Sequence, residues 1–191
     1  QAGEHRKYIG SSGYMLDTGG SGFVLGRQAL IATQRERDGR GPKTLLTEIL
    51  EAEMGETLRE HLPVIYAGGR TYISSFAHAV FSARKQGDAV AARIFNEGVS
   101  YYEEDMQTAY RIMGKPFKAA LGGGLFINVP EYAQAVSARA PEGCELKVLD
   151  TPTLYGAALE AMWLCGEEIP AGFKTRFIET YNAQPNLHTG W

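Results

Sequence analysis

Three consecutive glycines, Gly122, Gly123 and Gly124, follow a short apolar stretch that begins at Lys118. We expect a buried strand, a tight turn, and a helix that starts near Asn128. Glycine has no Cβ, so the backbone there can approach a flat or charged ligand and can adopt positive φ. The first turn of the following helix presents unpaired N–H groups. This layout predicts an α/β ligand site, although such turns also use glycine for packing alone.

A second glycine-rich segment spans residues 10–23. Hydroxyl side chains at Ser12, Thr18 and Ser21 and one carboxylate, Asp17, are interspersed among its glycines. Ordering so flexible a loop costs conformational entropy. We therefore interpret the segment as a functional loop and not as a simple connector.

Several catalytic motifs nearly fit the chain, but each one fails for a physical reason. The segment GRGPKT (39–44) has Pro42 where a P-loop needs a glycine N–H for phosphate. The glycines at 20, 22 and 26 are spaced one residue too widely for the dinucleotide fingerprint. Phe23 stands where a nucleophile elbow needs its last glycine.

The remaining titratable residues form no recognisable site. The histidines are scattered singly, and we expect His78 to be a surface or packed residue. The acidic run 103–105 is interpreted as a solvated helix face. Cys144 and Cys165 lack metal-site spacing, which indicates reduced structural thiols and a cytoplasmic protein. No catalytic residue and no metal ligand is predicted within this chain.

Composition limits the classes of function. With 191 residues, 44% of them hydrophobic, the chain suits one globular α/β domain. Its net charge of −3, without a basic stripe, argues against nucleic acid as a partner. No apolar run approaches the length of a bilayer span, and the N-terminus lacks the apolar core of a signal peptide.

Local patterns place helices before the glycine turn. Ser21 is a suitable N-cap for a helix through Ile31, and a polar loop is expected over 34–43. Thr44 should cap a helix that ends at Met54. The stretch 56–70 is ambiguous between strand and helix, and a helix is expected from Thr71. An apolar stripe then predicts a long helix: Phe95, Val99, Tyr102, Met106, Ala109 and Met113.

The second half of the chain alternates strands with helices. Strands are expected over 117–121 and 145–149, with Asn128 as the N-cap of one helix and Pro152 at the start of another. This order implies parallel strands joined by right-handed crossovers. A polar tail covers 166–191, with one helix near 173–181.

Three segments together resemble the N-acetylglucosamine kinase-like proteins. They are GYMLDTGGSGFVLGRQAL (13–30) with DGRGPKT (38–44), then ALGGGLF (120–126), and TPTLYGAA (151–158). The resemblance covers roughly residues 1–165. It implies an α/β, ribonuclease H-like actin/hexokinase ATPase-domain fold, with a mixed sheet flanked by helices. Where the family has a substrate-binding Asp, this chain has Thr18, and the family's tryptophan in that loop is absent.

The resemblance also implies ligands and residue roles. ATP with Mg²⁺ would bind in a cleft between two domains, with Gly122, Gly123, Gly124 and Phe126 against the adenosine. The loop would face a small sugar, with these candidate contacts: Ser12, Gly13, Asp17, Thr18 and Ser21. In such kinases a carboxylate deprotonates the sugar hydroxyl that attacks the γ-phosphate.

The phosphate loops and the catalytic carboxylate of this family do not occur in the chain. Residues 2–9 look like half of a β-hairpin whose partner strand lies upstream of Gln1. We therefore expect residues 1–165 to be the C-terminal domain of a two-domain protein and 166–191 to be a tail. The expected partners are a sugar, the protein's own N-terminal domain and, as a further option, a second copy of the chain.

Three functions remain open at this point. The first is the C-terminal half of an ATP-dependent sugar kinase, inactive on its own. The second is an ATPase of the type that activates benzoyl-CoA reductase or 2-hydroxyacyl-CoA dehydratase, which the resemblance also covers. The third is a regulatory module that binds sugar or nucleotide without chemistry.

Overall fold

A computed structural model describes residues 7–10, 12–16 and 19–184. Five helices come first: α1 (Gly22–Arg37), α2 (Leu45–Met54), α3 (Leu58–Ser75), α4 (Ala77–Lys85) and α5 (Ala89–Met113). Alternating strands and helices follow: β1 (Lys118–Leu121), α6 (Gly124–Asn128), α7 (Pro130–Ser137), β2 (Glu145–Val148), α8 (Thr153–Leu164) and α9 (Phe173–Asn182). The protein is thus α/β and mostly helical.

The sheet contains two parallel strands within the described residues. Lys118 pairs with Glu145 and Leu121 with Val148, and the Lys118 and Glu145 side chains form an ion pair at 2.8 Å. The predicted parallel strands at these positions are confirmed. The finer prediction, a mixed ribonuclease H-like sheet, goes beyond what these two strands show. The predicted strand at 2–9 lies mostly outside the described residues.

The hydrophobic core lies among α1, α4, α5 and α7. Its largest fully buried side chains include Tyr132, Phe76, Phe95 and Leu25. The apolar stripe predicted for the long helix is confirmed at its centre, because Phe95, Val99 and Met106 of α5 are buried. Toward the end of α5 the stripe reaches solvent, since Met113 is 49% exposed.

Capping residues mark several helix ends in the first half of the chain, and the predicted cap at Thr44 is confirmed. The Thr44 hydroxyl accepts a hydrogen bond from the Leu46 N–H, and Gly55 ends α2 with φ of 73°. Asp88 caps α5 by accepting from the Ala91 N–H at 2.7 Å. Gly114 ends α5 in the same left-handed conformation as Gly55.

Two predictions about the first half need correction. The polar loop expected over 34–43 is wrong for its first residues, because α1 continues to Arg37. Arg35 and Arg37 suit the negative end of the helix dipole there. The ambiguous stretch 56–70 is helical from Leu58, since Thr57 and Glu60 form a capping box that starts α3 ahead of Pro63, but the helix is broken at Gly69, whose φ of 59° and ψ of −147° are not helical. The helix expected from Thr71 is the end of α3 together with α4.

A third correction concerns the turn after β1. Asn128 is not an N-cap but the last residue of α6, which begins directly at Gly124. The next helix, α7, has Val129 as its N-cap and Pro130 as its first residue. Proline suits that position because it lacks an N–H that would stay unpaired there and because its fixed φ is already helical.

The tail contains the predicted helix, α9, which packs on α8. The Tyr155 ring lies 5.9 Å from Phe173 and 5.4 Å from Phe177, measured between ring centroids. Lys174 forms an ion pair with Asp150 just before α8. No helix in the described part of the chain combines the length and apolar character of a membrane span.

Candidate functional site

The glycine turn (Gly122–Gly124) lies at the carboxyl end of β1, beside the turn that follows β2. A Cβ built on Gly122 would lie 2.8 Å from Thr153 Cγ2 and 3.2 Å from Leu149 Cδ1. Glycine at 122 therefore lets the two strand-to-helix turns touch. In open α/β sheets, ligands bind in the crevice at the carboxyl ends of the strands.

Gly123 has a backbone conformation that only glycine adopts comfortably. Its φ of 108° and ψ of 158° lie outside the regions open to other residues. A Cβ at Gly123 would meet no atom within 4 Å. The backbone at this position therefore faces open space, and the absence of a side chain leaves room for a ligand.

Phe126 was predicted to contact the adenosine, but its side chain lies in the core. It is 6% exposed, and its ring centroid lies 5.1 Å from that of Tyr102 and 6.0 Å from that of Tyr132. The Phe126 ring is therefore not exposed for stacking on a ligand.

The turn after β2 is polar and partly buried. Thr151 is buried, whereas Asp150 is exposed and accepts from Lys174 Nζ at 3.2 Å and 3.3 Å. The Lys174 ammonium lowers the pKa of Asp150, so this carboxyl is ionised at neutral pH. Pro152 precedes the first residue of α8, as predicted within one residue.

The predicted sugar-facing residues are divided among exposed, capping and undescribed positions. Ser12 and Gly13 are exposed, and Gly13 accepts from the Leu16 N–H across the turn at 14–16. Ser21 is the N-cap of α1, with its Oγ 3.5 Å from the Val24 nitrogen. Asp17 and Thr18 lie outside the described residues. The structure therefore leaves the hydroxyl and backbone groups at 12–13 accessible.

A groove of about 1100 Å³ runs between the 14–16 turn, α1 and α5. Its floor is apolar and includes Phe23 and Ile94, while Arg93, Glu97 and Glu104 are among its rim residues. The lining of this groove does not include the glycine turn, and it does not include Ser12, Gly13 or Ser21. Tyr14 and Met15 belong to both the groove and the glycine-rich loop, so the loop forms one wall of the groove.

The end of the glycine-rich loop is attached to the core. The Tyr132 hydroxyl on α7 donates a hydrogen bond to the Gly20 carbonyl at 2.9 Å, and Gly98 of α5 lies against the same hydroxyl. Sequence reasoning missed both residues. A glycine inside a long helix costs about 1 kcal/mol relative to alanine. Gly98 was therefore the available signal for a close approach at this point of α5.

Two of the titratable residues considered in the sequence, His78 and Glu103, have ion-pair partners. His78 is exposed and lies 3.0 Å from Glu53, as expected for a surface residue. Glu103 pairs with Arg139, and Glu104 is solvent-exposed, which confirms a solvated face there. Among the described residues no group of three or more His, Cys, Asp or Glu side chains could hold a metal ion.

The chain was compared with known proteins. No protein-family model matches it, and no curated protein gives a significant match.

Proposed function

We propose that this chain contributes part of the active site of an ATP-dependent sugar kinase of the N-acetylglucosamine kinase-like type. In this proposal the backbone of the glycine turn lies against the adenosine, and the glycine-rich loop faces the sugar. The ribonuclease H-like mixed sheet and a preceding domain with both phosphate loops and the catalytic carboxylate are parts of the same proposal.

The observation that supports it best is the contact between the two strand-to-helix turns. They meet at the carboxyl end of a parallel strand pair, where Gly122 allows the approach to Thr153 and Gly123 exposes bare backbone. A flat purine ring fits against backbone that carries no Cβ. The resemblance of 120–126 to the adenosine motif of the kinases, and of 151–158 to the last helix of their second domain, agrees with this placement.

The chemistry divides between this chain and its ligands. Bound ATP would supply the phosphoryl group, and Mg²⁺ would neutralise its charge. The residues described here bind and orient: the glycine turn holds the nucleoside end, and Ser12 and Gly13 offer hydrogen-bonding groups to sugar hydroxyls. The chain alone is then expected to bind nucleotide weakly and to transfer no phosphate.

Nuclear magnetic resonance of the ¹⁵N-labelled chain tests the nucleotide site. Titration with ADP and Mg²⁺ should shift the amide signals of Gly122, Gly123 and Thr153. The amides of Gly55 and Gly114, which end helices elsewhere, should stay unchanged. Absence of shifts at the glycine turn at millimolar ADP would contradict the nucleotide assignment.

A matched pair of variants sharpens this test. Gly123→Ala adds a methyl group in the space assigned to adenosine, and we expect ADP affinity to fall about tenfold, equal to roughly 1.4 kcal/mol. Gly114→Ala makes the same change at another positive-φ glycine whose surroundings are also open. It should leave ADP affinity unchanged. Equal affinities in the two variants would refute the role of Gly123.

A sugar panel tests the other half of the proposal. N-acetylglucosamine should shift signals from the glycine-rich loop without moving those of the glycine turn. Measurable phosphorylation of any sugar by the purified 191-residue chain would contradict the proposal that the catalytic groups lie elsewhere.

A further inference from the structure

Tyr132 connects two segments that are far apart in the sequence. Its side chain is fully buried, and its hydroxyl donates to the Gly20 carbonyl across a sequence separation of 112 residues. Burial raises the pKa of Tyr132 well above its usual range, so the hydroxyl keeps its proton at any physiological pH. It is therefore a permanent donor to the loop.

Two glycines make room for this hydroxyl. A Cβ on Gly20 would lie 2.6 Å from the Tyr132 oxygen, and a Cβ on Gly98 would lie 2.4 Å from it. Real Cβ atoms do not approach an oxygen so closely. The hydroxyl thus occupies a site that both the loop and α5 leave open by having glycine.

Aromatic packing fixes the ring from the other side. Its centroid lies 5.1 Å from that of Phe95 and 6.0 Å from that of Phe126, with the Phe126 ring nearly parallel to it. Phe126 is two residues beyond the glycine turn. The orientation of the Tyr132 hydroxyl is therefore set by α5 and by the short helix that the glycine turn starts.

We propose that Tyr132 is a positioning residue that holds the segment 19–21 of the glycine-rich loop at a fixed place relative to the glycine turn. Its functional meaning, placing the sugar-facing loop, rests on the proposed function. The geometry itself does not, because the hydrogen bond and the two close approaches involve only residues of this chain.

The hydrogen bonds at the N-terminus of α1 depend on where Gly20 is held. Ser21 follows Gly20 directly, and it accepts from the Val24 N–H through Oγ and from the Leu25 N–H through its carbonyl at 3.0 Å. Release of Gly20 should loosen Ser21 and expose these two amides. The Val24 and Leu25 amides are thus local reporters of the Tyr132 contact.

Hydrogen exchange of Tyr132→Phe is the decisive experiment. This change removes only the hydroxyl and keeps the ring that packs on Phe95 and Phe126. We expect the Val24 and Leu25 amides to exchange about tenfold faster. The reason is that the hydrogen bond from Tyr132 is lost and the buried Gly20 carbonyl is left without its donor. The equivalent amides at the α2 cap, Leu46 and Thr47, should change less than about twofold.

A second variant reaches the same contact from α5. Gly98→Ala places a methyl group 2.4 Å from the Tyr132 oxygen and 2.9 Å from Leu25 Cδ2, so the Val24 amide alone reports on the Tyr132 contact in this variant, and it should exchange faster. Gly156→Ala in α8, where no atom lies within 4 Å, is the matched control and should produce none. The proposal is overturned if exchange at Val24 and Leu25 is unchanged in Tyr132→Phe, or if the amides at the α2 cap accelerate equally.

A ligand measurement separates this proposal from the proposed function. N-acetylglucosamine should bind Tyr132→Phe about tenfold more weakly than the unaltered chain, at an unfolding temperature within a few degrees. If the sugar binds neither protein, the sugar assignment fails while the exchange pattern still decides the role of Tyr132. If it binds both equally, Tyr132 does not position the loop for sugar.

Discussion

Asp88 joins two helices through a single carboxylate, and its replacement by alanine should be among the more damaging changes outside the core. Oδ1 accepts from the Ala91 N–H, which caps α5, and Oδ2 accepts from the Leu45 N–H at the start of α2. Both distances are 2.7 Å. Losing the cap costs about 1 kcal/mol. Losing the bond from the carboxylate to Leu45 adds about 1.5 kcal/mol, the low end for a charged acceptor, because Asp88 is half-exposed.

The expected total for Asp88→Ala is therefore about 2.5 kcal/mol of unfolding free energy. For a chain of this size that corresponds to a fall of roughly 5 to 10 °C in Tm. Urea unfolding followed by circular dichroism measures the free energy, and calorimetry measures Tm. Asp88→Ser keeps an N-cap oxygen for Ala91 but cannot reach Leu45, so it should lose a little more than half as much.

Two results would refute this account. One is an Asp88→Ala protein whose unfolding free energy is within about 0.5 kcal/mol of the unaltered chain, which is the range of ordinary surface changes. The other is Asp88→Ser as unstable as Asp88→Ala, since the α5 cap would then contribute nothing. Asp38→Ala is the matched control, because that carboxylate is exposed and pairs with Arg40 beyond the end of α1. It should have little effect.

Two further predictions concern packing and pH. Gly26→Ala should lower the free energy of unfolding by about 1–3 kcal/mol, because the new Cβ would lie 2.0 Å from the Ile73 carbonyl oxygen. Gly156→Ala should be neutral or stabilising when both variants are measured by urea unfolding. The hydrogen bond with Arg37 lowers the pKa of Glu51 in the folded chain. The contribution of Glu51 to the free energy of unfolding is therefore fully present above about pH 4.5 and is lost as the pH falls through the folded pKa. The stability difference between the unaltered chain and Glu51→Gln should therefore shrink in acid, and a difference independent of pH would show that the ion pair contributes nothing.

Much of the fold could be predicted from local pattern. The centre of α5 followed from its apolar stripe, α2 from Thr44 and Gly55, and the parallel strands from the strand–helix order. These features depend on residues within a few positions of one another, where periodicity and capping chemistry act. The end of α1 was missed and the stretch 56–70 stayed ambiguous between strand and helix, because polar side chains and Pro63 argue locally against a helix that tertiary packing nevertheless supports.

The candidate site also has one part that the sequence indicated and one part that it did not. The glycines at 122–124 stood out in the sequence because three in succession after an apolar strand leave few structural alternatives. The burial of Phe126 was not foreseen, since its neighbours in the sequence do not show that its ring packs against Tyr102 and Tyr132. Burial of an aromatic ring is settled by residues that arrive from other helices.

The sequence by itself determined most of the helices, both strands and the run of glycines at 122–124. Only the tertiary structure decided that the turns after β1 and β2 touch, and that the Tyr132 hydroxyl meets Gly20 and Gly98. The physical reason is the difference between interactions of sequence neighbours and interactions of residues far apart in the sequence. Helix and turn formation depends on neighbours along the chain, whereas a hydrogen bond between residues 112 positions apart exists only after the helices between them have packed.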